Sequence, residues 1–248
     1  MRLTSSGGDF RHYAQRTVAE WEQVRRRLRG STELSGEVSV YCSVTASYSV
    51  LAPILDAFRT AHPAVDIMLH TGDQADGINR ILTGQDDIAV TGRPRQLPAR
   101  IEFLPLLQTP LRFYMPAAQC AVRSQVLSGD PKASGFDWSR VPFIVPERGI
   151  SKELLDVWFS AQDATPYIYA QVAGHEAIAA MVGLGLGVGV APELVVATGG
   201  FSESLEVIEV AQPLPALDIG LCSLKQRLAN PLVQSLWSVA GQTYRPAV

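Results

Sequence analysis

The sequence has few cysteines, few charged residues and no long hydrophobic run. Its three cysteines, Cys42, Cys120 and Cys222, lie far apart and match neither a disulfide framework nor a metal-ligand spacing, which favours a reducing cytoplasm. No apolar stretch reaches the roughly 18–20 residues that a membrane span needs, and the N-terminus has no apolar core of a secretory signal. Hydrophobic residues make up 47% of the chain and charged residues 18%, which excludes a disordered protein. We therefore expect a cytoplasmic globular protein without a membrane partner.

The motifs of common enzyme classes are absent as well. There is no G-x-S-x-G nucleophile turn, no phosphate-binding GxxxxGK[ST] loop and no HExxH. The four histidines, His12, His62, His70 and His175, are scattered, and none has metal-ligand spacing to another histidine or a cysteine. The glycine run at 183–189 follows a predicted helix, which favours close helix–strand packing over a dinucleotide loop. We expect no catalytic residue, no metal and no cofactor.

What is present begins with a basic N-terminal segment. Residues 1–36 have a net charge of +3, and the remaining 212 residues have a net charge of −6. Ser6 followed by Asp9 is typical of a helix start. The residues after it repeat at alternating spacings of three and four, which is a heptad pattern and predicts a dimerisation seam: Phe10, Ala14, Thr17, Trp21, Val24 and Leu28. A helix packed on its own domain is the alternative.

The rest of the chain alternates between strand-like and helix-like patterns, which predicts an α/β fold built from parallel βα units. We expect strands over 37–43, 65–70, 87–90, 111–115, 141–145, 167–172 and 217–224, and helices over 50–59, 75–82, 151–161, 175–184 and 231–240. Prolines near 110–116 and 213–215 mark two passages of the chain between subdomains. The predicted organisation is a helix over 1–33, a first subdomain over 34–114 and 213–248, and a second subdomain over 115–212.

Small and polar residues follow four of the predicted strands. Because parallel strands end at the same edge of a sheet, these residues can converge on one cleft. Hydroxyl groups beside free N–H groups at a helix start suit a carboxylate, although the run at 43–48 taken alone is equally typical of a helix N-cap. The predicted ligand-binding residues are Ser43, Thr45, Ala46, Ser47, Tyr48, Gly72, Thr91, Gly174 and His175.

Four segments carry a family resemblance: LTSSG at 3–7, LSGEV at 34–38, FRTAHPAV at 58–65 and GLGVGVAP at 185–192. With them the chain resembles the effector-binding region of a LysR-type transcriptional regulator, preceded by that family's long linker helix. The resemblance implies two Rossmann-like subdomains of the periplasmic-binding-protein type II plan. It also implies a homodimer or homotetramer, with RNA polymerase as a further partner. The family contacts DNA through a winged helix-turn-helix, of which we expect this chain to hold only the end, so the chain itself should not read DNA bases.

Three further segments are similar to family members that activate branched-chain amino-acid synthesis: 36–49, 141–147 and 172–178. This closer resemblance implies that the effector is 2-acetolactate or 2-acetohydroxybutyrate, both small 2-hydroxy-3-oxo carboxylates. In this family the residues equivalent to 43–47 line the effector cleft. A periplasmic-type solute-binding protein for a small carboxylate shares the two-subdomain plan and is the alternative, to be distinguished by a monomeric state.

Overall fold

The computed structural model describes residues 34–133 and 135–244, together with nine positions of the N-terminal segment: Thr4, Gly7, Phe10, Tyr13, Ala14, Thr17, Val18, Trp21 and Val24. The eight of these from Gly7 onward are helical. The Gly7 N–H donates to Thr4 Oγ1 at 3.1 Å, as in a helix N-cap. The predicted cap at Ser6 and Asp9, and Leu28 at the end of the predicted seam, lie outside the described residues.

Ten strands of the described part form two five-stranded sheets. The first sheet consists, in spatial order, of β2 (Val65–Thr71), β1 (Gly36–Cys42), β3 (Ile88–Gly92), β10 (Leu217–Leu224) and β4 (Ile101–Thr109). The second consists of β7 (Tyr167–Val172), β6 (Pro142–Pro146), β8 (Val188–Pro192), β5 (Leu111–Pro116) and β9 (Leu205–Ile208).

Both sheets are mixed, whereas the sequence pattern predicted parallel units. β1 pairs in parallel with β2 and β3, and β6 pairs in parallel with β7 and β8. β10 and β5 run antiparallel to their neighbours. These two strands directly follow the passages of the chain from one subdomain to the other. Their direction is set by that passage and not by a βα crossover.

The helices lie in the order α1 (Ala52–Ala61), α2 (Gly77–Leu82), α3 (Ala121–Leu127), α4 (Ile150–Ala161), α5 (His175–Gly183), α6 (Glu193–Thr198) and α7 (Pro231–Thr243). α1 is preceded without a break by one helical turn, Val44–Ala46, and a π-helical segment, Ser47–Leu51. Within the residues described, no helix has the length and apolar content needed to cross a membrane.

Alternation along β1 explains how the first subdomain is packed. Val38, Val40 and Cys42 face the main core, where α1 contributes Ile54 and Phe58 at i, i+4 spacing. Burying apolar side chains of this size stabilises the fold by about 1.5–3 kcal/mol each. α1 ends at Ala61 because the next residue, His62, precedes Pro63. A proline disfavours helical geometry at the residue before it.

The chain passes from the first sheet to the second at Pro110 and returns between Ile208 and Leu217. β5 pairs with β8 and β9, so the division between the sheets lies before Leu111, four residues ahead of the predicted boundary after Tyr114. Strand pairing decides this position, and a proline in the sequence marks it only approximately.

β4 was absent from the predicted strands because Pro105 interrupts its pattern. A proline cannot donate a backbone hydrogen bond, and it is tolerated in this strand because β4 lies at the edge of the first sheet. β8, β9, α3 and α6 were also not predicted.

The structure confirms the role in helix–strand packing that was predicted for the glycine run at 183–189. Gly189 in β8 lies directly under α5. A Cβ atom at this position would be 2.7 Å from Ile178 Cγ2 and 2.8 Å from Val182 Cγ2. Only glycine allows the helix to approach the strand so closely.

Candidate functional site

A polar cleft lies between the two subdomains, at the carboxyl ends of the parallel strands. The loop after β2 forms one wall, and the loops after β6 and β7 form the other. The cavity between these walls has a volume of about 10 Å³, whereas ligand pockets in proteins measure roughly 300–1,000 Å³. Its lining residues include Asp73, Gln74, Ala75, Arg148, Ser151, Gly174 and His175. In this structure the loops of the two subdomains therefore leave little free space between them.

The hydroxyl groups at the start of the helical run after β1 are engaged locally. Ser43 is the N-cap, and its Oγ accepts a hydrogen bond from the Ala46 N–H at 3.2 Å. Ser47 Oγ donates to the Val44 carbonyl at 2.6 Å, and the Tyr48 hydroxyl donates to Thr45 Oγ1 at 3.4 Å. The N-cap interpretation of this run is therefore correct for Ser43.

Thr45 makes the direct connection to the other subdomain. Its backbone N–H donates to Glu176 Oε1 at 2.9 Å, across 131 positions of sequence. Thr45 is only 1% exposed. The carboxylate of Glu176, from the second subdomain, is therefore held at the start of the first subdomain's helical run by a backbone N–H.

The surroundings of Glu176 favour its ionised form. Burial alone raises the pKa of Glu176, but hydrogen bonds from the side chain and backbone of Thr45 and from its own backbone, together with the nearby His175, outweigh burial and lower the pKa. Glu176 also lies in the first turn of α5, where the helix dipole favours a negative charge.

His175 precedes Glu176 and is buried, with 7% of its surface exposed. Its Nε2 lies 2.9 Å from Ser151 Oγ, a partner in its own subdomain. Burial lowers the pKa of His175 to about 4, although the charges of Glu176 and Asp73 act in the opposite direction. At neutral pH the ring is therefore uncharged, and one of its two nitrogens is engaged with Ser151.

A second connection across the cleft is an ion pair. Arg148, after β6, binds Asp76 with Nη1 at 2.9 Å from Oδ1 and Nη2 at 3.0 Å from Oδ2. Asp73 Oδ2 lies 3.5 Å from Arg148 Nε. The two subdomains are thus joined by opposite charges as well as by Glu176.

The other predicted ligand-binding residues have structural contacts of their own, and their role in ligand binding stays a prediction. Gly72 lies against the ring of Tyr41, where a side chain would meet the Tyr41 hydroxyl. Thr91 is buried, and its Oγ1 donates to the Gln74 carbonyl at 3.0 Å, which fixes the loop after β2. Ala46 is buried beside Ser43. Gly174 lines the cavity and is the N-cap of α5, with a φ of +85° that favours glycine.

Glu176 and Arg148 were not among the predicted site residues. Each follows the carboxyl end of a strand, which is the same signal that identified Thr45 and Gly174. Their partners lie 131 and 72 positions away in the sequence, so no local pattern pairs them.

The described residues of the predicted dimerisation seam lie on the surface of the single chain. Phe10 is 69% exposed, Trp21 61% and Val24 45%, and Thr17 is also exposed. Ala14 is half-buried.

Two α/β subdomains that close on one polar cleft define a ligand-sensing domain. A family model described as the LysR substrate binding domain matches residues 31–245. The chain belongs to the LysR family of transcriptional regulators.

Individual relatives agree with this assignment. The HTH-type transcriptional activator IlvY of Salmonella typhimurium is 39% identical over 241 residues, which cover 96% of this chain and 80% of that protein. The HTH-type transcriptional regulator IlvY of Escherichia coli is 38% identical over the same shares. These names confirm the expectation of a regulator and not an enzyme.

A solved structure confirms the expected fold of two subdomains of the periplasmic-binding-protein type II plan. The effector binding domain of QuiR, in complex with shikimate, superposes with a TM-score of 0.70 at 18% identity. The match covers 85% of this chain and 98% of that domain.

Proposed function

We propose that this chain senses 2-acetolactate or 2-acetohydroxybutyrate in the cleft and thereby activates transcription of branched-chain amino-acid synthesis genes. The identity of 39% to an activator named IlvY supports the regulatory role. The observation that carries the site assignment is the hydrogen bond from the Thr45 N–H to a carboxylate at 2.9 Å. A group that holds one carboxylate in the cleft has the chemistry to hold the carboxylate of an effector.

The neighbouring groups suit the rest of such an effector. The hydroxyl groups of Ser43, Thr45 and Ser47 surround the same helix start and can bind the hydroxyl and keto oxygens of the ligand. Since the cavity between the subdomains measures about 10 Å³, we infer that an effector enters by moving the subdomains apart. A ligand that binds one degree of closure more tightly shifts the protein towards it.

We test the assignment by thermal-shift titration and calorimetry with 2-acetolactate. At a ligand concentration of 100 times Kd, binding adds about 2.7 kcal/mol to the free energy of unfolding. Thr45→Val keeps the backbone N–H but removes a hydroxyl group from the site, and it should weaken binding about two- to ten-fold, since a hydrogen bond between uncharged groups contributes about 0.5–1.5 kcal/mol. Thr198→Val is the matched control, because the Thr198 hydroxyl is exposed and donates to the Leu194 carbonyl outside the cleft.

No shift at millimolar 2-acetolactate would contradict the effector assignment. An unchanged affinity of Thr45→Val would remove the Thr45 side chain from the site.

We propose further that two or four copies pair through the N-terminal seam and that DNA is contacted through a helix-turn-helix domain of the kind named in the IlvY relatives. The exposed aromatic side chains of Phe10 and Trp21 support the pairing. RNA polymerase would then be contacted by the DNA-bound regulator in the cytoplasm.

A further inference from the structure

Glu176 forms a contact that the proposed function does not by itself require. It extends from α5 across the cleft and places Oε1 2.9 Å from the Thr45 nitrogen. Both partners of this contact lie at helix starts. Gly174 is the N-cap of α5, which carries Glu176, and Ser43 is the N-cap of the helical run that contains Thr45.

The contact uses the group that an effector carboxylate would use. One backbone N–H cannot donate a short hydrogen bond to two carboxylates at once, and two negative charges at this distance repel each other. The cavity of about 10 Å³ is lined by Gly174 and His175, the two residues before Glu176, and has room for about one water molecule. Glu176 and an effector carboxylate therefore cannot occupy the helix start together.

We propose that Glu176 is a built-in competitor for the effector, whose carboxylate displaces the Glu176 side chain from the Thr45 N–H. This inference rests on the proposed function, in which a carboxylate effector binds at Thr45. Displacement breaks a direct hydrogen bond between the subdomains, so effector binding and a change in closure become one event. Glu176 also sets the concentration at which the effector acts, because every binding event must first remove it.

The competition can be measured with an anion that is not the proposed effector. In Glu176→Ala the Thr45 N–H is free, and acetate should raise the melting temperature of this variant by more than that of the unmodified chain. Glu153→Ala is the matched control: Glu153 is an exposed glutamate in the first turn of α4 and lies outside the cleft lining. Sodium chloride at the same ionic strength controls for screening.

The same variants are then titrated with 2-acetolactate and with 3-hydroxybutan-2-one, the same ketol without its carboxylate. We expect 2-acetolactate to bind Glu176→Ala and Glu176→Gln about ten-fold more tightly than the unmodified chain, in line with the loss of one charge-assisted hydrogen bond. The neutral ketol should show no such gain. Glu176→Gln keeps the shape of the side chain and provides the comparison if the alanine variant does not fold.

The outcomes separate the two proposals. If acetate selectively stabilises Glu176→Ala while 2-acetolactate binds no variant, Glu176 is confirmed as the occupant of a carboxylate site and the effector assignment fails. If 2-acetolactate binds the unmodified chain but binds the Glu176 variants equally well or more weakly, the competition is overturned and the effector assignment stands. Equal acetate shifts in all variants overturn the competition as well.

Discussion

Arg148 and Asp76 form a bidentate ion pair across the cleft, with nitrogen–oxygen distances of 2.9 and 3.0 Å. The guanidinium belongs to the second subdomain and the carboxylate to the first. Together with the bond between Thr45 and Glu176, this pair connects the two subdomains across the cleft by polar contacts. These polar contacts contribute to closure, and each of them can be changed separately.

Reversing one charge of the ion pair should open the cleft. Arg148→Asp and Asp76→Arg each place like charges opposite one another, and the double variant restores the attraction. We expect a larger radius of gyration by small-angle X-ray scattering for each single variant and recovery in the double variant. The melting temperature should change by less than about 3 °C, because exposed ion pairs contribute little to stability. Equal radii for all four proteins would contradict a role of this pair in closure.

Burial of His175 predicts a loss of stability in mild acid. The pKa of His175 is lowered by burial to about 4 in the folded chain, against about 6.5 in the unfolded chain. The unfolded state therefore binds the proton first, and the free energy of unfolding falls as the pH decreases from 6.5 towards 4. The expected loss between pH 7 and pH 5 is about 2 kcal/mol.

Urea denaturation at the two pH values measures this loss, and His175→Gln should reduce it. Glu176 titrates below its ordinary pKa and contributes only at lower pH. An equal loss in the two proteins would show that His175 is not its source.

A methyl group at Gly189 should be costly. The added Cβ would lie 2.7 and 2.8 Å from atoms of Ile178 and Val182, so Gly189→Ala forces α5 away from β8. Overpacking of this kind costs about 1–3 kcal/mol.

Gly241→Ala is the control for this substitution, because Gly241 lies in α7 and its nearest atom, Leu104 Cδ2, would be 3.7 Å from the new Cβ. There alanine should stabilise the chain by about 0.5–1 kcal/mol, since it is the better helix former. Urea denaturation should show a lower free energy of unfolding for Gly189→Ala and a higher one for Gly241→Ala than for the unmodified chain.

Removing aromatic side chains from the N-terminal seam should separate the copies of the chain. We expect size-exclusion chromatography with light scattering to give the unmodified chain a molar mass of twice or four times 26.8 kDa. The double variant Phe10→Ala/Trp21→Ala should shift towards 26.8 kDa, because the heptad seam loses its two largest side chains. Tyr13→Ala removes an equally exposed aromatic residue outside the seam and should keep the assembly. A monomeric unmodified chain would refute the pairing.

Much of the fold could be predicted locally. The predicted strands at 167–172 and 217–224 have the same bounds as β7 and β10, because alternation and flanking turns define them. β4 could not be predicted in this way, since Pro105 is acceptable only at the edge of a sheet and no local pattern tells which strand forms the edge.

The sequence predicted which residues follow the strand ends, and their role in ligand binding stays a prediction. The structure brings Thr45, Gly174 and His175 to the cleft region, while Gly72 and Thr91 shape the loop after β2. These predictions came from the ends of strands. The end of a strand indicates where a side chain lies in the sheet, but it does not indicate which residue of the other subdomain that side chain contacts.

The sequence by itself determined the α/β alternation and, approximately, where the chain passes between the two subdomains, because both depend on hydrophobic period and turn residues close together in the chain. Only the tertiary structure decided that β5 and β10 run antiparallel, that Arg148 binds Asp76 and that Glu176 occupies the Thr45 N–H. These contacts join residues dozens of positions apart. Their strength depends on how far the subdomains close, which local sequence does not specify.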